Sequence, residues 1–177
     1  MIADELDILL VQDNPLEVEL TLRPLRDLDP QCRIGVARDG EEALDYLLGR
    51  GPFRHRHSTP QPRLVLLDLR LPRVDGVEVL RALRASPRAG AAPVVMLVAA
   101  NEPRELAQCY QVGANSCVRR PVEFEDFYQT IQMVGRYWLE RNLAPPPPAG
   151  RRGATAGQDA AGGQRGSRAV VQPPGGG

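Results

Sequence analysis

The sequence predicts an α/β protein, a three-layer sandwich in which a parallel five-stranded sheet lies between two layers of helices. Three observations carry that prediction. Short runs almost continuous in apolar residues recur along the chain, at Asp7–Val11, Leu64–Leu67, Val94–Val98 and, more weakly, Ile34–Ala37, with a brief fifth at Cys117–Val118. Amphipathic segments with helix-start signals fill the intervals between them. Continuous rather than alternating apolarity is what strands covered on both faces require, so the sheet is parallel and central.

In chain order, Asn14–Pro15 supplies an N-cap and a proline at the first helical position before LEVELTLRPLRDL. Pro24 falls inside this helix, where it removes a hydrogen bond and crowds the carbonyl of Leu20, so the helix is expected to kink or end early. Asp39 precedes GEEALDYLL, Asp75–Gly76 leads into VEVLRALR, and Pro103 opens RELAQCYQV. The last helix is the longest: from Phe124, the residues Phe127, Ile131, Val134 and Trp138 form one apolar stripe, with Tyr128 and Tyr137 beside it. The segment Gly49–Pro62, GRGPFRHRHSTPQP, reads as a long solvated loop. Its two histidines sit among arginines that repel cations, so a metal site is not expected there. Right-handed crossovers favour the flavodoxin-like strand order 2-1-3-4-5 with five helices, whose ligand crevice lies beyond the carboxyl ends of strands one and three.

The 177 residues divide into a folded domain, 1–143, and a Pro/Gly/Arg-rich tail, 144–177, which has almost no large apolar residues and is expected to be disordered. Residues 1–143 hold 18 Arg against 21 Asp and Glu, a charge of −3, and the tail holds four Arg against Asp159, a charge of +3. The arginines of the domain are interspersed with acids, which argues against nucleic-acid binding. All 22 basic residues are arginine, so a compositional bias stands beside any functional reading of a single one. Cys32, Cys109 and Cys117 share no metal or disulfide spacing, which fits a reducing cytoplasm. The N-terminus is acidic, and no run approaches the ~18 apolar residues of a membrane span, so a soluble protein is expected.

Two carboxylates converge on the predicted crevice. Asp13 follows strand one and Asp68 ends strand three; with a backbone carbonyl from the next loop they suit a hard divalent cation such as Mg²⁺. Capping of turns is the plainer role for strand-end aspartates, but two at the switch point favour a ligand site. The pieces LLVQDNP at 9–15, LLDLRLPRVDG at 66–76, PVVML at 93–97 and VRRPVEF at 118–124 resemble the successive motifs of response-regulator receiver domains, over residues 5–143. GANSC at 113–117 and YWL at 137–139 resemble the small regulators paired with bacterial phytochromes. The resemblance implies that Asp68 accepts a phosphoryl group from a kinase phosphohistidine. It also implies Mg²⁺ held by Asp13, Asp68 and the carbonyl of Arg70, and a sensor histidine kinase, in that subgroup a bacterial phytochrome, as partner.

Against the family pattern, four positions differ. Gln12 replaces the first of an acid pair, contributes no charge, and is left only a weak metal role, accepting a bond from metal-bound water. Val98 replaces the Ser or Thr that caps the phosphoryl oxygen, a loss of ~1.5–3 kcal/mol for a bond to a charged acceptor. Arg120 stands where a lysine before a cis-proline contacts the phosphate, and guanidinium is a wider planar donor than ammonium. Cys117 replaces the aromatic residue that rotates inward from strand five. The reading is therefore a single-domain response regulator, not an enzyme beyond self-phosphorylation and dephosphorylation, whose phosphorylation-driven switching is impaired and which acts by protein–protein contact. A fully functional phosphoacceptor or phosphate sink is the alternative. An aspartate-nucleophile phosphohydrolase is disfavoured, because Arg70 occupies the place of its general acid. Tyr137, Trp138 and Leu139 predict a homodimer through the last strand and last helix, although core packing accounts for Trp138 almost as well.

Overall fold

Strands form where the apolar runs predict them: β1 at Ile8–Val11, β2 at Ile34–Ala37, β3 at Leu64–Asp68, β4 at Val94–Val98 and β5 at Ser116–Arg119. The helices between and after them are α1 (Pro15–Leu28), α2 (Gly40–Leu48), α3 (Gly76–Arg84), α4 (Pro103–Val112) and α5 (Phe124–Arg136). The computed structural model describes residues 2–99 and 103–143, so the predicted tail at 144–177 lies outside the described residues.

All strand pairs are parallel, in the order β2-β1-β3-β4-β5. The continuous apolarity of the strands has a direct cause. Ile8, Leu10, Leu64, Leu66, Val95 and Leu97 pack with α1 and α5 on one face. Their strand neighbours Leu9, Val11, Val65, Leu67, Val94, Met96 and Val98 pack with α2, α3 and α4 on the other. Each such side chain contributes roughly 1.5–3 kcal/mol through burial, so both faces drive the fold.

The helix starts use the predicted caps. Asn14 Oδ1 accepts from Leu16 N at 3.0 Å, Asp39 Oδ1 from Glu42 N at 2.8 Å and Asp75 Oδ1 from Glu78 N at 2.9 Å. Gly76 is required by close approach: a Cβ there would lie 2.1 Å from the carbonyl oxygen of Asp68. With Gly76 N donating to the Leu69 carbonyl at 3.0 Å, α3 begins directly against the end of β3.

Three expectations need correction. The first helix does not end early at Pro24 but runs to Leu28; Pro24 is buried with Leu22 and Leu25, so packing of that face offsets the missing hydrogen bond. The segment Gly49–Pro62 is largely exposed, as expected, but it is not an irregular loop throughout: Gly51–Ser58 forms 3₁₀ turns around a fully buried Arg56. Arg56 donates to the carbonyls of Asp4 at 2.7 Å, Tyr46 at 2.5 Å and Pro60 at 3.2 Å, and its guanidinium lies 3.5 Å from the centroid of the Tyr46 ring. Finally, Leu139 is buried and Trp138 half-buried against the core, where a π-helical turn, Tyr137–Arg141, follows α5; Tyr137 is exposed. No helix among the described residues is long and apolar enough to cross a membrane.

Candidate functional site

Beyond the carboxyl ends of β1, β3, β4 and β5, backbone bonds hold the strand-end segments side by side. Gln12 N donates to Ala37 O at 3.0 Å, Leu69 N to Leu97 O at 3.2 Å, and Arg120 N to Val98 O at 2.8 Å. Gln12 and Asp68 lie one step past the paired residues Val11 and Leu67. Topology thus places Asp68 between a residue of β1's end and one of β5's end, as the switch-point argument requires.

Asp68 is 4% exposed, and both of its carboxylate oxygens are occupied. Oδ2 accepts from Gln12 Nε2 at 3.3 Å, and Oδ1 accepts from Arg120 Nη2. Burial pushes the Asp68 carboxyl up to about 6; Arg120 and the Gln12 hydrogen bond pull against that rise, and the nearby Glu17 charge adds to it. A carboxylate that is desolvated yet paired with a cation is a candidate reacting group rather than a turn cap.

The structure brings in two residues that the sequence did not single out. Glu17, in the first turn of α1, accepts from Arg120 Nη1 and from Gln12 Nε2, the latter at 3.2 Å. Thr21, one turn further, shares its one hydroxyl hydrogen between the Glu17 carbonyl at 2.8 Å and Gln12 Oε1 at 3.2 Å. Spacing could have put Glu17 near the crevice, four residues after Asp13. Nothing in the sequence distinguishes an acid turned toward Asp68 from one that complements the helix N-terminus.

Gln12 lies within the same hydrogen-bond network. Its amide NH₂ faces the carboxylates of Glu17 and Asp68, while its carbonyl is turned to Thr21. Ionised carboxylates only accept, so the network favours this orientation, with the Gln12 oxygen facing Thr21. Asp13 is exposed. Arg70, two residues after Asp68, is a base whose side chain pairs with Glu105. Val98 is buried in the core cluster on the α2–α4 side and offers no hydroxyl. Cys117, half-buried on β5, packs against that cluster, and its backbone N–H donates to Tyr110 Oη at 3.2 Å. Burial pushes the Cys109 thiol up to about 11 and raises that of Cys117. The peptide before Pro121 is trans, unlike the cis step the resemblance implies.

The groups expected to hold a divalent cation, the carboxylates of Asp13 and Asp68 and the Arg70 carbonyl, would offer oxygen donors only. No group of three His, Cys, Asp or Glu side chains able to hold a metal occurs among the described residues. Two carboxylates, a carbonyl and several waters suit Mg²⁺ or Mn²⁺, which dehydrate reluctantly, and do not suit zinc. The donor chemistry fits, with the condition that an ion on Asp68 competes with the Arg120 and Gln12 hydrogen bonds.

A 2-1-3-4-5 parallel sheet with a buried aspartate ending its central strand, met by a cation from just past β5, is the architecture the resemblance implies. Residues 8–132 match the response regulator receiver domain, and the chain belongs to that family. It is similar to the probable methanogenesis regulatory protein FilR2 of Methanothrix harundinacea (strain 6Ac), with 42% identity over 145 residues, 81% of this chain and 90% of the relative. Among solved structures it resembles the bacteriophytochrome response regulator AtBRR, at 46% identity and a TM-score of 0.60 over 74% of this chain and 94% of that one. It also resembles the phosphorylated cyanobacterial phytochrome response regulator RcpA, at 27% identity and a TM-score of 0.74 over 80% and 99%. The Mn²⁺-bound response regulator Rcp1 matches at 27% identity and a TM-score of 0.69 over 80% and 100%.

Proposed function

We propose that this chain is a receiver that takes a phosphoryl group onto Asp68 from a sensor histidine kinase of the phytochrome class and signals through protein–protein contact. The observation that carries the proposal is the Asp68 carboxylate, buried at the end of β3 with Arg120 on one oxygen and Gln12 on the other. In-line transfer to such an oxygen needs positioning and charge neutralisation more than covalent help from the protein. Asp13, Asp68 and the Arg70 carbonyl would hold Mg²⁺, which supplies charge neutralisation at the phosphoryl oxygens when bound. Arg120 supplies further positive charge, and burial keeps bulk water from the acyl phosphate.

Switching downstream of phosphorylation is impaired in this reading. The hydroxyl end of the usual relay is Val98, in an apolar cluster, and its aromatic end is Cys117, packed against the same cluster. The signal then rests on surface contacts, and exposed Met133 and Tyr137 on and after α5 support a homodimer formed through that helix. Localisation in the cytoplasm follows from a kinase partner of this class. The near-complete coverage of FilR2 and of the phytochrome regulators fits a protein whose output is binding.

The test is phosphorylation by acetyl phosphate with Mg²⁺, read by intact-protein mass. One phosphoryl group is expected on the unaltered chain and none on Asp68→Asn; equal labelling of the two would exclude Asp68. Sedimentation of residues 1–143 should show a dimer at micromolar concentration, and a monomer there would remove that part of the reading.

A further inference from the structure

In the site, Gln12 and Arg120 look like two separate losses, an acid replaced by an amide and a lysine replaced by arginine under compositional bias. The hydrogen bonds show that they form one arrangement with Glu17. Arg120 uses its two terminal nitrogens on different carboxylates, Nη1 on Glu17 and Nη2 on Asp68. The planar guanidinium presents those donors in a fixed fork, whereas a lysine carries one ammonium and cannot hold both acids in the same geometry. Glu17 is fixed in turn: Gln12 Nε2 donates to it at 3.2 Å, and the Thr21 hydroxyl, bonded chiefly to the Glu17 backbone carbonyl at 2.8 Å, also faces the Gln12 carbonyl at 3.2 Å. An acid at position 12 would face Glu17 and Asp68 as a third negative charge, where the amide instead donates to both.

We infer that Glu17 is a positioning residue for phosphoryl transfer, holding the Arg120 guanidinium at Asp68, and that Gln12, Glu17 and Arg120 together replace the usual acid pair and lysine. The inference rests on the reading of Asp68 as the acceptor. During transfer the donor's N–P bond breaks, its imidazole keeps the bonding electron pair, and a new O–P bond forms on Asp68. Nη2 of Arg120 is then free to move from the carboxylate to a phosphoryl oxygen while Nη1 remains on Glu17. Arg120 Nε is buried with no hydrogen-bond acceptor among the described residues, so the guanidinium is held only at its two carboxylate-facing ends. That leaves Glu17 as the anchor that does not change when Asp68 is modified.

The experiment uses the full chain with acetyl phosphate and Mg²⁺, and compares Glu17→Gln, Arg120→Lys and the double variant. Each single substitution is expected to slow labelling roughly tenfold, as loss of an orienting partner commonly does. The double variant should be no slower than the slower single one, because the two residues act as a unit. Adding Gln12→Glu to the double variant rebuilds the usual acid pair and lysine and should recover labelling. A Glu17→Gln rate equal to that of the unaltered chain, or single effects that multiply, would overturn the inference. Arginine-selective ¹⁵N spectra give a readout that needs no phosphate: rotation of the Arg120 guanidinium should be hindered in the full chain and free in Glu17→Gln. If the unaltered chain takes no label, the acceptor reading fails, while the spectra still decide whether Glu17 holds Arg120; equal rotation in both proteins refutes it. Should Glu17→Gln not fold, Glu17→Asp, one methylene short of Arg120, serves the same comparisons.

Discussion

Arg56 and Arg120 are both arginines drawn into the protein, and their surroundings separate a structural cation from a working one. Arg56 is fully buried, and its three nitrogens all donate to backbone carbonyls, of Asp4, Tyr46 and Pro60, with the Tyr46 ring against its face. None of these partners can change protonation or be modified, so the guanidinium ties the N-terminal segment, α2 and the 3₁₀ turns into one unit. Burial lowers the Arg56 pKa, yet a guanidinium is basic enough that the group stays charged near neutrality. Arg120 instead meets two carboxylates, one of them held near the middle of the pH range by burial. Burial of an arginine is therefore a poor sign of function, and the chemistry of its partners is a better one.

The contrast is broken most directly by removing Arg56. Arg56→Leu leaves three carbonyls without their donor and should lower the free energy of unfolding by about 3–5 kcal/mol in a urea titration. Labelling of whatever protein stays folded should be unchanged; a loss of labelling without loss of stability would erase the distinction between the two arginines.

The second effect lies at Asp68. Its carboxyl titrates near 3.8 in an unfolded chain and near 6 in the folded one, so between those values the folded state binds the extra proton. Stability therefore falls as pH rises from about 4 to 6 and stays lower above, by an order of 2–3 kcal/mol for a shift of about two units. Asp68→Asn removes that slope. Denaturation of both proteins in EDTA across this range should show the difference opening with rising pH, and parallel curves would mean that Arg120 and Gln12 fully offset the burial.

Arg120→Leu should cost less stability than Arg56→Leu, about 1–2 kcal/mol, because Asp68 can take up a proton and half-buried Glu17 can turn to water. Its labelling should drop far more than its stability. The smallest effect is expected from Val98→Thr, about 1 kcal/mol of destabilisation from a hydroxyl placed in an apolar cluster, together with faster labelling if the hydroxyl reaches the phosphoryl group. Unchanged labelling would show that restoring this residue alone does not rebuild the relay.

Much of the fold was legible because strands buried on both faces need continuous apolar runs, and Leu64–Leu67 and Val94–Val98 have no other reading in a chain with such clear helix caps. The place of Asp68 beside the end of β1 was legible for a related reason, since strand order fixes which strand ends meet. Arg56 was not, because a charged residue among histidines and other arginines has the composition of a solvated loop, and only the carbonyls gathered around it reverse that expectation. Pro24 was misread because the energy of its packed face does not appear in local helix chemistry.

By itself, then, the sequence determined the sheet, its order and the place of Asp68 at the switch point, since these follow from hydrophobic pattern and chain connectivity. Only the tertiary structure decided which way the Gln12 amide turns and that Glu17 joins the site. Those depend on side-chain rotamers and on the mutual satisfaction of donors and acceptors among residues up to about a hundred positions apart, Glu17 and Arg120 above all. Local propensity carries no information about such pairings.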